Sequence, residues 1–99
     1  MNANKDMAYG TFFFDPDERI YADHFPGHAI VPGSLILQAF LQAAGELYPD
    51  FCCNRVDNFG FRKFMQPGKY PFTMEMRAER LVCRLLNDGK IMAEGTLQR

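Results

Sequence analysis

One uninterrupted run of good helix formers, from Ser34 to about Leu47, constrains this chain more than any other stretch. It is apolar nearly all round, with Leu35, Ile36, Leu37, Phe40 and Leu41 among its residues. Such a helix is expected to be buried rather than to lie on an outside face. Its polar exceptions are Ser34, Gln38, Gln42 and Glu46. They recur every fourth residue, so they form one narrow stripe along the helix. Tyr48-Pro49-Asp50 ends it.

The approach to the helix is of another kind. His24 to Gly33 is a turn-rich loop, because Pro26-Gly27 and Pro32-Gly33 break regular structure. Both histidines of the chain, His24 and His28, lie in it. A loop carrying a titratable histidine and running straight into a helix N-terminus is a candidate site. The helix end supplies unpaired N–H groups and partial positive charge.

The remaining chain reads as strands. Tyr9 to Phe14 is one, favoured by Thr11 and three consecutive phenylalanines. Asp15-Pro16-Asp17 turns the chain, and Glu18 to Ala22 is a short extended piece. After the helix, Arg55 to Phe64 is a strand with Gly60 inside it, and Gln66-Pro67-Gly68-Lys69 is a turn. Then the alternation is clean. Tyr70, Phe72, Met74, Met76 and Ala78 take one side, and Pro71, Thr73, Glu75, Arg77 and Glu79 the wet one. Leu81 to Leu86 is a further strand, and Asn87-Asp88-Gly89 is a strong hairpin signal. Lys90 to Leu97 returns with Ile91, Ala93 and Leu97 inward.

One helix among antiparallel strands gives an α+β fold, most economically a curved sheet wrapped around the helix. Residues 1–99 are one small domain, with residues 1–6 read as a frayed end. One helix cannot cover the apolar face of five strands, so a homodimer or heterodimer is expected to close the core.

Composition excludes several functions. A net charge of −1 leaves no global field to recruit nucleic acid. No apolar run approaches a membrane span, and the first ten residues lack the basic and apolar regions of a signal peptide. The expectation is a cytoplasmic chain without nucleic-acid or membrane partners. Cys52 and Cys53 are adjacent and Cys83 is distant, which is no metal-ligand spacing. Reduced thiols are expected, with no metal and no cofactor.

The pattern His24-Phe25-Pro26-Gly27, then Val31-Pro32-Gly33, then a helix with Gln38-Ala39 and Gln42-Ala43-Ala44-Gly45 resembles the (3R)-hydroxyacyl-[acyl-carrier-protein] dehydratases of fatty-acid synthesis. The likeness continues through Val56-Asp57-Asn58, Phe61-Arg62-Lys63-Phe64-Met65-Gln66-Pro67-Gly68 and Asn87-Asp88-Gly89-Lys90. It implies the hotdog fold, a long helix wrapped by an antiparallel sheet and assembled as dimers. It implies that His24 is the catalytic base and that the acid is a carboxylate on the neighbouring subunit's helix. The matched carboxylate position falls on Gln38. Phe25, Pro32 and Gly33 would contact the substrate, an acyl group carried by acyl carrier protein.

Dehydrating a 3-hydroxyacyl thioester needs a base, a stabiliser for the charge growing on the carbonyl oxygen, and an acid for the departing hydroxide. A neutral imidazole, titrating at about 6.5 when unperturbed, suits the first. The Gly33 N–H suits the second. Gln38 cannot supply the third, because a carboxamide donates hydrogen bonds but releases no proton at neutral pH. Asp23 and His28 are near in sequence, with no spacing that aims them inward.

Plainer roles stand beside these. His24 can be a structural loop residue, Gln42 can hydrogen-bond loop backbone, and Phe12, Phe14, Phe59, Phe61 and the methionines read as core sooner than as the lining of a substrate tunnel. Arg62, Lys63 and Lys69 suit an acidic carrier protein, but read more simply as a solvated strand end. Three functions follow: a dehydratase acting alone, a subunit of a heterodimeric dehydratase, and a non-catalytic acyl-thioester-binding protein. A thioesterase is the weaker enzyme alternative, since Glu46, the helix's own carboxylate, lies far from the loop.

Overall fold

The computed structural model describes residues 7–17 and 30–99. The elements run β1 (Met7–Phe14), α1 (Gly33–Leu47), β2 (Arg55–Phe61), β3 (Gly68–Arg77), β4 (Arg80–Asn87) and β5 (Lys90–Gln98). The five strands form one sheet in the order β1-β3-β4-β5-β2, antiparallel at every pairing. This is the hotdog arrangement, an α+β domain with one long helix. The expected piece at Glu18 to Ala22 and the His24–Ala29 part of the loop lie outside the described residues.

The helix packs through a seam of Ile36, Phe40, Ala43 and Ala44. These residues stand at helical spacing on one side, against the inward side chains of the strands. Phe40 is fully buried. Its ring meets Phe12 edge-on at 4.9 Å and Phe72 edge-on at 5.8 Å, and lies tilted to Phe59 at 5.8 Å. Phe12 and Phe72 stack at 4.0 Å across the β1–β3 pair. Met74, Leu81, Cys83, Leu85 and Leu97 complete the floor of the core with no exposed surface. Tyr48 closes the helix by donating its N–H to the Ala44 carbonyl, and its hydroxyl reaches the Met74 carbonyl at 3.3 Å.

The helix is not enclosed on all sides. Ser34, Gln38, Gln42 and Glu46 are all exposed, as their four-residue spacing predicts, but Leu41, Gly45 and Leu47 are exposed with them. An amphipathic stripe therefore faces away from the sheet, and two leucines share it. The sheet is larger than one helix can cover, and Val56, Phe61 and Phe64 also remain open.

Two irregularities correct the strand reading. β2 ends at Phe61 rather than Phe64 and carries a bulge between Asp57 and Gly60. Asn58 takes φ 56° there, a left-handed conformation that asparagine tolerates better than most residues. The bulge presses Phe59 onto β5. A Cβ at Gly95 would sit 2.7 Å from the Phe59 backbone Cα, so only glycine fits. In β5 the register slips between the pairs Leu85–Ala93 and Leu86–Ile91, leaving Met92 as the extra residue. Met92 is buried beside Ala93, while Ile91, expected inward, is half-buried.

The outer face carries side-chain ladders suited to water. Glu94 on β5 joins Arg62 at 2.5 Å and Arg84 at 3.5 Å, and Arg55 meets Asp57 at 3.1 Å. These pairs are exposed, so each contributes little to stability, about 0–1 kcal/mol.

Candidate functional site

Pro32 is the N-cap of α1, with φ −63° and ψ 145°. Proline already holds that φ, and its carbonyl accepts the N–H groups of Leu35 and Ile36 at 3.0 and 3.3 Å. No side chain caps this end, and the first turn holds no acidic residue. The N–H groups of Gly33 and Ser34 have no partner among the described residues. Among the described residues, the helix start therefore presents unpartnered donors and the partial positive charge of a helix N-terminus.

The chain entering the helix is pinned from outside. Val31, buried, donates its N–H to the Met65 carbonyl at 2.8 Å, and Met65 is buried as well. Phe61, at the end of β2, lies over Gly33. A Cβ built on Gly33 would come within 2.9 Å of that ring. Phe61, expected in the core, is 46% exposed and instead covers the helix start. Strand and helix are 28 positions apart (61 minus 33), and no local pattern records the approach.

Gln38 lies a little over one turn in from Gly33, on the exposed stripe and turned away from the buried seam. It makes no hydrogen bond to any described residue. Glu46, the helix's carboxylate, is two turns further, about 12 Å along the axis. It lines a groove of about 420 Å³ between β1 and the C-terminal half of the helix, with Phe12, Ala39, Gln42, Ala43 and Phe72. Gln42 faces this groove and has no hydrogen-bond partner among the described residues; most of the loop backbone expected to receive it lies outside them. His24 and Phe25 lie outside the described residues, so of the expected site Pro32, Gly33 and Gln38 are in view. No group of three His, Cys, Asp or Glu side chains placed to hold a metal ion occurs among the described residues.

The thiols separate by environment. Cys52 is exposed, Cys53 is half-buried and donates to the Arg55 carbonyl, and Cys83 is buried. Burial pushes the Cys83 thiol up to about 12, with Cys53 adding to the rise. In the unfolded chain the same thiol ionises near 9.0. The folded state thus keeps its proton where the unfolded state loses it. The stability this contributes is whole below pH 9 and drains away as pH rises toward about 12. We expect urea midpoints to fall steadily across that range, and Cys83→Ala to flatten the slope. At pH 8 a thiol-alkylating reagent should label Cys52 and spare Cys83 until the protein unfolds.

Comparison with known proteins agrees with this geometry. The family model for ApeI-like dehydratases, described as ApeI dehydratase, matches residues 1–95. The 3-hydroxyacyl-[acyl-carrier-protein] dehydratase FabZ of Bordetella parapertussis is 33% identical over 102 residues, covering 82% of this chain and 67% of the relative. FabZ of Chlamydia trachomatis serovar L2 is 40% identical over 70 residues, 64% of this chain and 46% of the relative. The chain spans about two thirds of the Bordetella relative's length, and less of the Chlamydia one. Among solved structures, the dehydratase heterocomplex ApeI:P from Xenorhabdus doucetiae superposes with a TM-score of 0.81 at 20% identity, over 94% of this chain and 86% of that one. An uncharacterized protein from Erwinia carotovora subsp. atroseptica superposes at 0.74 with 18% identity, over 93% and 81%. At those identities the superpositions speak for the fold. The fold, the loop-to-helix motif and the family match agree: this chain belongs to the ApeI-like dehydratases, hotdog-fold hydro-lyases.

Proposed function

We propose that this chain is one subunit of a heterodimeric dehydratase that removes water from 3-hydroxyacyl groups carried as thioesters on acyl carrier protein. The observation that carries the proposal is Gln38: an amide on the open helix stripe, where a partner would meet it. In a two-chain site, His24 of this chain takes the proton next to the thioester carbonyl. The charge moving onto the carbonyl oxygen is met by the Gly33 N–H. The new double bond then expels the 3-hydroxyl, which leaves as water with a proton from the partner's carboxylic acid. The reciprocal site pairs the partner's histidine with Gln38 and lacks its acid.

Two features support assembly with a second hotdog chain. Among the described residues the outer edge of β2 is unpaired, Val56 and Phe61 are exposed on that strand, and Leu41 is exposed on the helix. The similar fold from Xenorhabdus doucetiae is itself a heterocomplex. Phe25 and Pro32 would line the mouth of the site, and the compartment we assign is the cytoplasm. No metal or cofactor takes part in this reading.

The test is a 3-hydroxyacyl-carrier-protein incubation read by mass spectrometry for loss of water. The chain alone should turn over slowly. With a hotdog subunit that bears a helix carboxylate, turnover should rise, His24→Ala should abolish it, and Gln38→Ala should leave it nearly unchanged. Full activity from the purified homodimer would sink the heterodimer. Association with acyl carrier protein and no turnover in either form would identify a binding protein instead.

A further inference from the structure

We propose that Phe61 is a positioning residue, one that fixes the first turn of α1 and so sets where the Gly33 N–H points; its consequence for turnover rests on the dehydratase reading above. The ring is anchored on the sheet. Phe61 pairs with Ala93 of β5, its ring lies 6.3 Å from that of Phe59, and the next residue donates its N–H to the Met92 carbonyl at 2.8 Å. Arg62 also holds Glu94 on β5. From that support the ring reaches the helix start, where a Cβ on Gly33 would meet three of its atoms at 2.9, 3.0 and 3.3 Å.

Gly33 is not there for backbone freedom. The glycines with positive φ among the described residues are Gly68 and Gly89. Gly33 is helical, and what it supplies is room for the ring. The Pro32 carbonyl ties the first turn to itself, but Pro32 offers no capping side chain, so the contact with Phe61 adds a tie between that turn and the sheet. The Val31–Met65 hydrogen bond holds the chain just upstream, so the entry to the helix is pinned to the 61–65 segment at two points. A reacting carbonyl feels small shifts of its donors, and a misplacement of about 1 Å can cost about 10²-fold in rate.

The experiment uses the complex of this chain with its carboxylate-bearing partner and reads two things. Amide hydrogen exchange follows residues 31–36, and steady-state kinetics follows kcat and KM separately. Phe61→Leu should speed exchange at 31–36 at least about ten-fold while β3, β4 and β5 keep their protection, and should lower kcat by about 10²-fold with KM nearly unchanged. Phe61→Tyr, which keeps the ring, should behave as the unmodified chain. Gly33→Ala pushes on the same contact without touching β2. It should reproduce the kcat loss, and adding Phe61→Leu should restore part of it by making room for the methyl group. Unchanged exchange at 31–36 in both Phe61→Leu and Gly33→Ala would overturn the proposal, as would a loss carried by KM alone. Absence of turnover from the unmodified complex counts against the dehydratase reading, and the exchange arm still decides the role of Phe61.

Discussion

Gln38→Glu is expected to raise the rate at which the purified chain, acting as a homodimer, dehydrates 3-hydroxyacyl-acyl-carrier protein, by about 10²- to 10⁴-fold. The two side chains have the same length and nearly the same shape, so the substitution disturbs little packing. Gln38 is exposed, and no hydrogen bond to a described residue is lost. What changes is chemical. A protonated carboxyl can hand its proton to the departing hydroxide, which a carboxamide cannot. A freely exposed glutamate, with a pKa of about 4.3, would be ionised at neutral pH. A second subunit covering the helix stripe would desolvate it and favour the protonated form that the reaction uses. The readout is product formation by mass spectrometry over the pH range of the assay. If Gln38→Glu and His24→Ala both leave the rate unchanged, this chain does not catalyse the reaction by that pair.

Phe40→Ala is expected to cost about 3–5 kcal/mol of folding stability. Phe40 is fully buried at the middle of the helix. Its ring touches β1 through Phe12, β3 through Phe72 and the β2 bulge through Phe59. Truncation would leave a void against three elements of the fold, and a sheet stacked on one helix has few other groups to refill it. A small domain with a total stability of about 5–15 kcal/mol would be left marginal or unfolded. Urea unfolding at fixed protein concentration measures the loss. A cost under about 1 kcal/mol would mean that this ring does not hold the helix to the sheet. Leu47→Ala serves as the control, because Leu47 is exposed at the helix end and should change stability far less.

Much of this molecule is legible in the chain because its signals are local. Helix formers follow two Pro-Gly pairs, and the helix starts one residue earlier than expected, at Gly33. Asn87-Asp88-Gly89 reads as a hairpin because a tight turn needs positive φ, and Asp88 and Gly89 take 52° and 77°. The hairpin between β3 and β4 gave no such signal. Its Ala78, read as a continuing strand residue, sits at φ 55°, held there by the pairing of Arg77 with Arg80. The bulge at Met92 was silent for a similar reason: an extra residue in one strand is defined by its partner.

The sequence by itself determined the helix and its polar stripe, the strands, the family motif and the amide at position 38. Each follows from a period, a breaker or a residue type. Tertiary structure alone decided that β2 crosses to the far edge of the sheet, beyond β5, and that β1 pairs with β3 across the intervening helix. It decided which side of the helix stays open, and it brought Phe61 onto Gly33. Those depend on which distant surfaces bury each other best, and no window of the chain contains both surfaces.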